Sequence, residues 1–218
     1  MSSMLLIVPS RKRPESCDQL LEEFKKTSEI SEIIFGLDDD DESQYSDEVL
    51  ARAEKNPRLR MGGTLNLIAA RNADKYDYLA FMGDDHRPRT VGWDRALSEA
   101  IGPDAGVAYG NDLLQGNLLP TAVVMSSSIV KKIGYMVPPV LVHMYMDNFW
   151  LELGKSLGNL RYREDIIIEH MHHLNGKSKP DATYMETNNA SMYAIDSESF
   201  HRYMTTQFSN DIRKILGL

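Results

Sequence analysis

Two adjacent carboxylates and an imidazole follow a run of apolar residues in Tyr78–Pro88, YLAFMGDDHRP. The apolar run is typical of a buried strand, and two anions at its end repel one another unless a cation joins them. Carboxylate oxygens with a nearby imidazole suit Mg²⁺ or Mn²⁺, and Mg²⁺ usually also contacts substrate phosphates. Asp84, Asp85 and His86 therefore predict a cation site that holds a nucleotide diphosphate. The alternative is a plain turn, since Gly-Asp-Asp is common turn composition.

A second group of imidazoles lies at the end of another apolar run, in the stretch EHMHHLNGKSKPD. On an extended segment, side chains two residues apart point to the same side, which groups His170 with His172. We expect one of these two histidines to be a third metal ligand. Lys177 follows shortly afterwards and is expected to contact a phosphate.

Asp147, in the stretch MYMDNFW, lies at the start of a predicted helix. The ordinary explanation is an acid that caps the helix or stabilises its first turn. The functional explanation is a general base in a pocket walled by Tyr145, Phe149 and Trp150.

A basic cluster, SRKRP, follows the first predicted strand at Ser10–Pro14 of an otherwise acidic chain. Arginine binds phosphate with two parallel hydrogen bonds, so this position favours contact with a phosphate or nucleotide over plain solvated surface.

An acidic run, DDDDE, follows the second predicted strand at Asp38–Glu42. It cannot be a calcium-binding EF-hand loop, because the positions that require Gly and Glu hold Ser43 and Val49. The run is either a solvated loop or, at one or two residues, an acceptor for hydrogen bonds from a base or ribose.

The elements that must position these clusters alternate between strand and helix in the first half of the chain. The predicted strands are Met4–Val8, Ser31–Asp38, Arg58–Met61 and Tyr76–Met82, and the predicted helices are Pro14–Glu29, Ser46–Asn56 and Thr64–Lys75. This alternation indicates a doubly wound α/β domain with a mostly parallel sheet. Ligands of such sheets bind beyond the carboxyl ends of the strands, where the basic, acidic and Gly-Asp-Asp-His clusters should converge.

The second half is less regular. GVAYG, TAVVMSS and LRYREDIIIEHMHH read as strands, and SSIVKKIG and YMDNFWLELGKSLG as helices. Apolar residues near helical spacing predict a helical tail over Ser197–Leu216. Without repeats or a low-complexity linker, we expect one domain of three parts, residues 1–90, 91–190 and 191–218.

Composition excludes several classes of protein. The 218 residues are 42% hydrophobic and 26% charged, and a net charge of −8 argues against a general nucleic-acid coat. The dinucleotide fingerprint is absent, which argues against an NAD enzyme. A Walker phosphate loop is absent too. Cys17 is the single cysteine, so no internal disulfide can form, and it is expected to be a buried apolar residue rather than a nucleophile. With no signal peptide and no membrane-length apolar stretch, a cytoplasmic location is expected.

The segments LLIVPSRKRP, IIFGLDDDD, GTLNLIAARN, YLAFMGDDH and MYMDNFW, in this order, resemble the GT-A type glycosyltransferases. The likeness is closest to compact family-2-like enzymes of bacteriophages and bacteria, and it extends to about Tyr184. It implies a GT-A fold with a nucleotide-sugar-binding half and a mixed acceptor-side half. It also implies a nucleotide-sugar donor, with a UDP-sugar favoured, and Mn²⁺ or Mg²⁺ as cofactor. The tail beyond about Asn188 carries no motif.

The resemblance also implies roles for individual residues. The metal-binding D-x-D motif falls on residues 83–85 or 84–86, with Asp85 as the metal contact and Asp84 beside the nucleotide. Either His170 or His172 matches the metal-binding histidine, and Asp147 matches the catalytic base. The residues that fall where the family contacts the nucleotide are Pro9, Arg11, Arg13, Asp38, Asp39 and Asp40.

The implied reaction is an inverting, metal-dependent transfer of a sugar to an acceptor hydroxyl. A nucleotidyltransferase with a related sheet is an alternative, but VPSRKRP lacks its glycine-rich loop. A non-catalytic nucleotide-binding module is the other alternative. The acceptor could be a modified DNA base, a protein or a glycan. A phage origin would place the enzyme in the host cytoplasm. The C-terminal helix could support self-association.

Overall fold

The computed structural model describes residues 2–179, 185, 186 and 189–218. Its strands are β1 (Met4–Ser10), β2 (Ser31–Asp38), β3 (Ala53–Asn56), β4 (Tyr78–Phe81), β5 (His86–Pro88), β6 (Val107–Asn111), β7 (Val123–Ser126) and β8 (Leu160–His170). Its helices are α1 (Pro14–Thr27), α2 (Asp47–Leu50), α3 (Arg60–Asn72), α4 (Trp93–Ile101), α5 (Ser127–Ile133), α6 (Met146–Ser156), α7 (Ala190–Thr206) and α8 (Phe208–Leu216). No helix among the described residues is both long enough and apolar enough to cross a membrane.

The parallel half of the sheet is built around β1, which pairs with β2 on one side and β4 on the other. Met4–Val8 are fully buried, as expected for a strand covered by helices on both faces. Successive side chains point to opposite faces, so Leu6 and Val8 join one core cluster with α1, and Leu5 and Ile7 join another with α3.

The second half of the sheet mixes strand directions. The strand order is β3-β2-β1-β4-β7-β6-β8-β5, with β7 antiparallel to both β4 and β6, and β8 parallel to β6. The prediction of a doubly wound, mostly parallel sheet with a mixed second half is confirmed. The division into three sequence regions remains a prediction.

The short strand β5 brings the two predicted metal clusters together. It runs antiparallel to β8, with His86 opposite His170 and Pro88 opposite Ile168. The sequence analysis missed this strand because it is only three residues long, follows a turn and contains a proline, which is confined to sheet edges. The pairing connects the Gly-Asp-Asp-His turn to the end of β8.

Two predicted elements around β3 were wrong. The helix predicted over Ser46–Asn56 ends at Leu50, and the segment after it forms β3 in parallel with β2. The strand predicted over Arg58–Met61 is instead the entry to α3, which begins at Arg60. The sequence AEKN of β3 has little intrinsic strand preference, and pairing with the edge of β2 overrides it.

The tail forms two helices, α7 and α8, where one helix over Ser197–Leu216 was predicted. Tyr203, Phe208 and Ile215 are buried and join the core cluster that contains α3 and α6. The apolar stripe therefore packs within the chain, and self-association through the tail remains a prediction. The limits of the family resemblance, about Tyr184 and Asn188, lie outside the described residues.

Cys17 is fully buried in α1, with its Sγ atom 3.1 Å from the Ser10 hydroxyl. Burial and the nearby charge of Asp84 raise the pKa of the thiol to about 12. At neutral pH the group is uncharged and is not an activated nucleophile. The prediction of a buried apolar cysteine is confirmed.

Candidate functional site

A cavity of about 300 Å³ opens beyond the carboxyl ends of β1, β2 and β4, and α6 and the end of β8 also line it. Parallel strands present the loops at their carboxyl ends along one edge of the sheet, which is why the polar clusters converge there. The predicted site residues that line this cavity are Pro9, Arg11, Arg13, Asp38, Asp84, Asp85, Asp147, His170 and His172.

Asp85, His86 and His170 form a compact group on the cavity wall, with potential ligand atoms that all lie within 4.8 Å of one another. The Asp85 carboxylate is 3.4 Å from His86 Nδ1 and 3.4 Å from His170 Nε2. The two imidazole rings are stacked, with centroids 4.2 Å apart. The backbone register between β5 and β8 produces this arrangement.

His86 has a packing role within this group. Its Nδ1 accepts a hydrogen bond of 3.1 Å from the Gly83 N–H, and its Nε2 faces the Thr121 hydroxyl at 3.5 Å. Burial lowers the pKa of His86, so the ring is neutral. Because the Nδ1 lone pair is already engaged, Asp85 and His170 are the members of the group with an atom available for a cation.

His170 lies between two carboxylates. Its Nε2 faces Asp85, and its Nδ1 lies 3.9 Å from Asp112 Oδ2, too far for a hydrogen bond. Among the described residues, this buried Nδ1 has no hydrogen-bond partner. Burial opposes protonation, but Asp112 and Asp85 together raise the pKa of His170 to about 9. A carboxylate and an imidazole suit Mn²⁺ or Mg²⁺, which usually also contacts substrate phosphates, so Asp85 and His170 fit the cation that the sequence predicts.

His172 lies beside His170, with ring centroids 4.9 Å apart, but outside the compact group. Its Nδ1 accepts a hydrogen bond of 3.3 Å from the Leu174 N–H. Burial and the positive charge of neighbouring histidines lower the pKa of His172 to about 4. The neutral ring still lines the cavity. Of the two histidines, His170 lies beside Asp85, whereas His172 lies farther from it.

Asp84 and Asp85 point to different surroundings although they are adjacent. Asp84 is buried, and its carboxylate accepts hydrogen bonds from the Ser10 hydroxyl at 2.6 Å and from Arg13 at 3.1 Å. Burial and the charge of Asp85 raise the pKa of Asp84 to about 6. A Cβ atom at Gly83 would lie 2.6 Å from Asp85 Oδ1, so an aspartate does not fit at the first motif position without a shift.

The ends of β1 and β2 form the opposite wall of the cavity. Pro9, Arg11 and Asp38 line it, and Arg11 Nη1 donates a hydrogen bond of 2.8 Å to Asp38 Oδ2. Burial raises the pKa of Asp38, and the Arg11 guanidinium opposes this rise. At the strand ends this wall therefore presents a hydrogen-bond acceptor, the Asp38 carboxylate, and a positive charge, the Arg11 guanidinium.

Three of the predicted nucleotide contacts do not line the cavity. Asp39 and Asp40 are exposed, and Asp40 pairs with the outer side of Arg11, whose Nη2 is 3.1 Å from Asp40 Oδ2. Lys177 Nζ lies 2.5 Å from Glu169 Oε1 on the surface beside β8. Their contact with a ligand remains a prediction.

Asp147 occupies the first turn of α6 and lines the cavity. Burial raises the pKa of its carboxyl group, although the Asn148 N–H donates a hydrogen bond of 2.9 Å to it. Tyr145 and Trp150 also line the cavity, as predicted, but Phe149 was wrongly placed there. Phe149 is two residues from Asp147, about 200° around the helix, and packs in the core instead.

Four ionisable residues of the cavity wall were not predicted from the sequence, Arg58, Arg60, His143 and Glu186. Arg58 and Arg60 both pair with the Glu186 carboxylate, the latter at 2.8 Å. Burial lowers the pKa of His143 to about 4. The two arginines follow the carboxyl end of β3, and placing that strand correctly would have marked them as ligand contacts.

No protein-family model and no curated protein matches this sequence. Similarity is found among solved structures, and it lies in the fold rather than the sequence. The chain has the fold of the GT-A type glycosyltransferases, in agreement with the predicted fold class.

Three of these structures show the extent of the likeness. S. aureus TarS 1–349 in complex with UDP has a TM-score of 0.57 and 14% identity over 95% of this chain and 73% of that one. The mannosyltransferase PcManGT from Pyrobaculum calidifontis in complex with GDP-Man and Mn²⁺ has a TM-score of 0.57 and 10% identity, covering 98% of this chain and 73% of that chain. Glucosyl-3-phosphoglycerate synthase from Mycobacterium tuberculosis, with Mn²⁺, UDP and phosphoglyceric acid, has a TM-score of 0.53 and 12% identity, covering 82% and 75%. A longer TarS structure is matched over only 44% of its length.

Proposed function

We propose that this chain is a metal-dependent glycosyltransferase that moves a sugar from a nucleotide-diphosphate donor to an acceptor hydroxyl. The observation that carries the proposal is the pairing of His86 with His170, which brings Asp85 and His170 together at the ligand-binding edge of a GT-A fold. Asp147 lines the same cavity and provides a half-buried carboxylate. The similar structures contain UDP, GDP-Man and Mn²⁺, which supports the same class of donor and cofactor here.

The donor nucleotide lies along the wall formed by β1 and β2. Asp38 accepts hydrogen bonds from the base or ribose, and Pro9 provides an apolar contact beside it. Arg13 and the arginines of the α3 entry supply positive charge for the phosphates. A UDP-sugar is the favoured donor, because two of the three similar structures hold UDP.

Asp85 and His170 would hold the cation, with His172 as the nearest further imidazole. When bound, Mn²⁺ or Mg²⁺ neutralises the negative charge that grows on the departing diphosphate. Asp84 does not hold the cation, because its carboxylate accepts hydrogen bonds from Ser10 and Arg13 that fix the turn. Because Asp85 and not Asp84 lies beside His170, the D-x-D register that fits best is residues 83–85, with Asp85 at its last position.

Asp147 accepts the proton of the acceptor hydroxyl. The hydroxyl oxygen forms a bond to the anomeric carbon while the bond from that carbon to the diphosphate oxygen breaks. Burial raises the pKa of the Asp147 carboxyl and makes it a stronger base than an exposed aspartate. A single base opposite the leaving group leads to inversion at the anomeric carbon. A carboxylate with a raised pKa on the cavity wall also favours an enzyme over a non-catalytic nucleotide-binding module.

The test is donor turnover. The protein is incubated with a panel of UDP-, GDP- and other nucleotide-sugars in Mn²⁺, Mg²⁺ or EDTA, and release of the nucleoside diphosphate is measured. We expect metal-dependent release from at least one donor, slowly by water alone and faster with a competent acceptor. Pyrophosphate release from a nucleoside triphosphate and a sugar phosphate would indicate a nucleotidyltransferase instead. No turnover of any donor would contradict the proposal.

A further inference from the structure

The first helix of the tail, α7, places a buried carboxylate beneath the loop that leads to Asp147. Asp196 is 0% exposed. Its Oδ1 accepts a hydrogen bond of 3.0 Å from the Val142 N–H, and its Oδ2 accepts bonds of 2.7 Å from both the His143 and the Met144 N–H. Hydrogen bonds to a carboxylate are stronger than those between neutral groups, so this one side chain fixes three consecutive peptide units.

The loop needs such a restraint. Tyr145, which immediately precedes α6, has a φ of 64°, in the left-handed region that costs energy for a residue with a side chain. The other side of the loop docks on α3, where the Gly62 N–H donates a bond of 3.1 Å to the Val142 carbonyl. A Cβ atom at Gly62 would lie 2.3 Å from the Leu141 carbonyl oxygen, so the approach is close.

Aromatic packing adds a second contact between α7 and this loop. The Tyr145 ring stacks on Phe200 with centroids 5.2 Å apart and lies 5.3 Å from Tyr193. The loop itself supplies His143, Tyr145 and Asp147 to the cavity wall. The helix therefore contacts the backbone and a ring of the segment that carries the proposed base.

We propose that Asp196 is a positioning residue, which holds the segment 142–147 so that Asp147 faces the acceptor hydroxyl. The inference rests on the proposed function. It assigns the tail, which carries no recognisable motif, to the acceptor side of the site rather than to the donor or metal side. A shift of the base by about 1 Å is enough to reduce turnover by about 10²-fold.

Asp94 provides a matched control elsewhere in the chain. It is also 0% exposed, and its Oδ2 accepts bonds from the Glu29, Ile30 and Ser31 N–H groups at 2.8–3.0 Å. These residues join α1 to β2 and do not line the cavity. Asp94→Asn and Asp196→Asn therefore make the same chemical change, one oxygen to an amide in a buried set of N–H groups, at two distant places.

The experiment compares the two variants in four measurements: thermal stability, affinity for UDP with Mn²⁺, donor turnover, and hydrogen exchange of the peptides covering 29–31 and 141–147. We expect both variants to lose stability, with UDP affinity within about twofold of the parent. Only Asp196→Asn should lower turnover, on the order of 10²-fold, and speed exchange at 141–147. Only Asp94→Asn should speed exchange at 29–31.

Several results would overturn the inference. Equal turnover in the two variants would make Asp196 a purely structural residue. Loss of UDP affinity in Asp196→Asn would place its effect on the donor side. If the parent itself turns over no donor, the proposed function fails. The positioning role is then tested by hydrogen exchange alone, and unchanged exchange at 141–147 in Asp196→Asn overturns it. Should Asp196→Asn fail to fold, Phe200→Leu, which removes the stack on Tyr145 and keeps an apolar side chain, must show the same selective loss of turnover.

Discussion

At the scale of single residues, the cavity combines a candidate cation site with a separate, half-buried carboxylate. Asp85 and His170 lie together at the edge of the sheet, whereas Asp147 reaches the cavity from the first turn of α6. Burial raises the pKa of Asp147. Burial also acts to raise the pKa of Asp85, but the charged imidazole of His170 holds it well below its usual range. One carboxylate is therefore suited to accept a proton and the other to stay ionised.

Replacing Asp147 separates catalysis from binding. Asp147→Asn is nearly isosteric and keeps an oxygen for the Asn148 N–H, so the fold and donor affinity should be retained. Turnover should fall on the order of 10²–10⁴-fold, as is typical when a general base is removed. The paired measurements are a donor titration and the rate of diphosphate release. Turnover close to that of the parent would remove Asp147 from the mechanism, and lost donor binding would make it a structural or metal-site residue.

Cation binding should depend on pH through His170. Its pKa is raised to about 9 from the ordinary 6.5, so the ring of the metal-free protein is protonated at neutral pH and a cation must displace that proton. Affinity for Mn²⁺ should therefore rise with pH, by up to about tenfold per unit below the pKa. Calorimetry between about pH 6.5 and pH 8 measures this slope. His170→Gln should abolish it, and an affinity of the parent that is constant over this range would contradict the assignment.

Most of the predicted site residues line the cavity, because residue type and position at a strand end are visible in the sequence. The same reasoning could not decide between His170 and His172, since alternation on an extended segment treats them alike. What distinguishes them is that β8 ends at His170, while the His172 ring turns to cap the Leu174 N–H. It also could not exclude Phe149, whose direction follows from the exact start of α6.

At the scale of elements, the site depends on where strands end and on which helix covers them. The β3 and α3 boundaries were misjudged because alanine, glutamate and lysine favour a helix in isolation and only the pairing with β2 makes β3 a strand. The β5 strand could not be foreseen, since its pairing with β8 is a contact between residues 80 or more positions apart. Local patterns carry no information about such a partner.

The packing of α3 on β2 leaves no room for a side chain at Gly36. A Cβ atom there would lie 2.4 Å from Thr64 Cγ2 and 2.9 Å from Ile68 Cδ1. Gly36→Ala should reduce the free energy of unfolding by about 1–3 kcal/mol, as overpacking of a core typically does. Denaturant unfolding measures this loss.

Thr64→Ser removes the nearest methyl group and provides the control. The double variant Gly36→Ala with Thr64→Ser should recover part of the lost stability relative to the sum of the two single variants. Additive losses would show that the contact between residues 36 and 64 is not the cause.

At the scale of the whole molecule, the parallel half of the sheet supplies the wall proposed for the nucleotide. The second half of the chain supplies His170, Asp147 and the loop that α7 contacts. The fold class was predictable because alternating strands and helices constrain a doubly wound sheet. The contribution of the tail was not, because Asp196 and Phe200 act through contacts with a loop about 50 residues earlier in the chain. Asp85, Asp147 and His170 thus come from three separate segments of the sequence and meet in one cavity.

The most direct test of the central claim is calorimetric titration of UDP into the protein with Mn²⁺ and with EDTA. Asp85→Asn removes the charge at the cation site, and Asp74→Asn changes an aspartate whose side chain is 94% exposed and lies outside the cavity. We predict that Mn²⁺ strengthens UDP binding to the parent and to Asp74→Asn, and that this gain is lost in Asp85→Asn. Equal Mn²⁺-dependent affinity in Asp85→Asn and the parent would contradict the account.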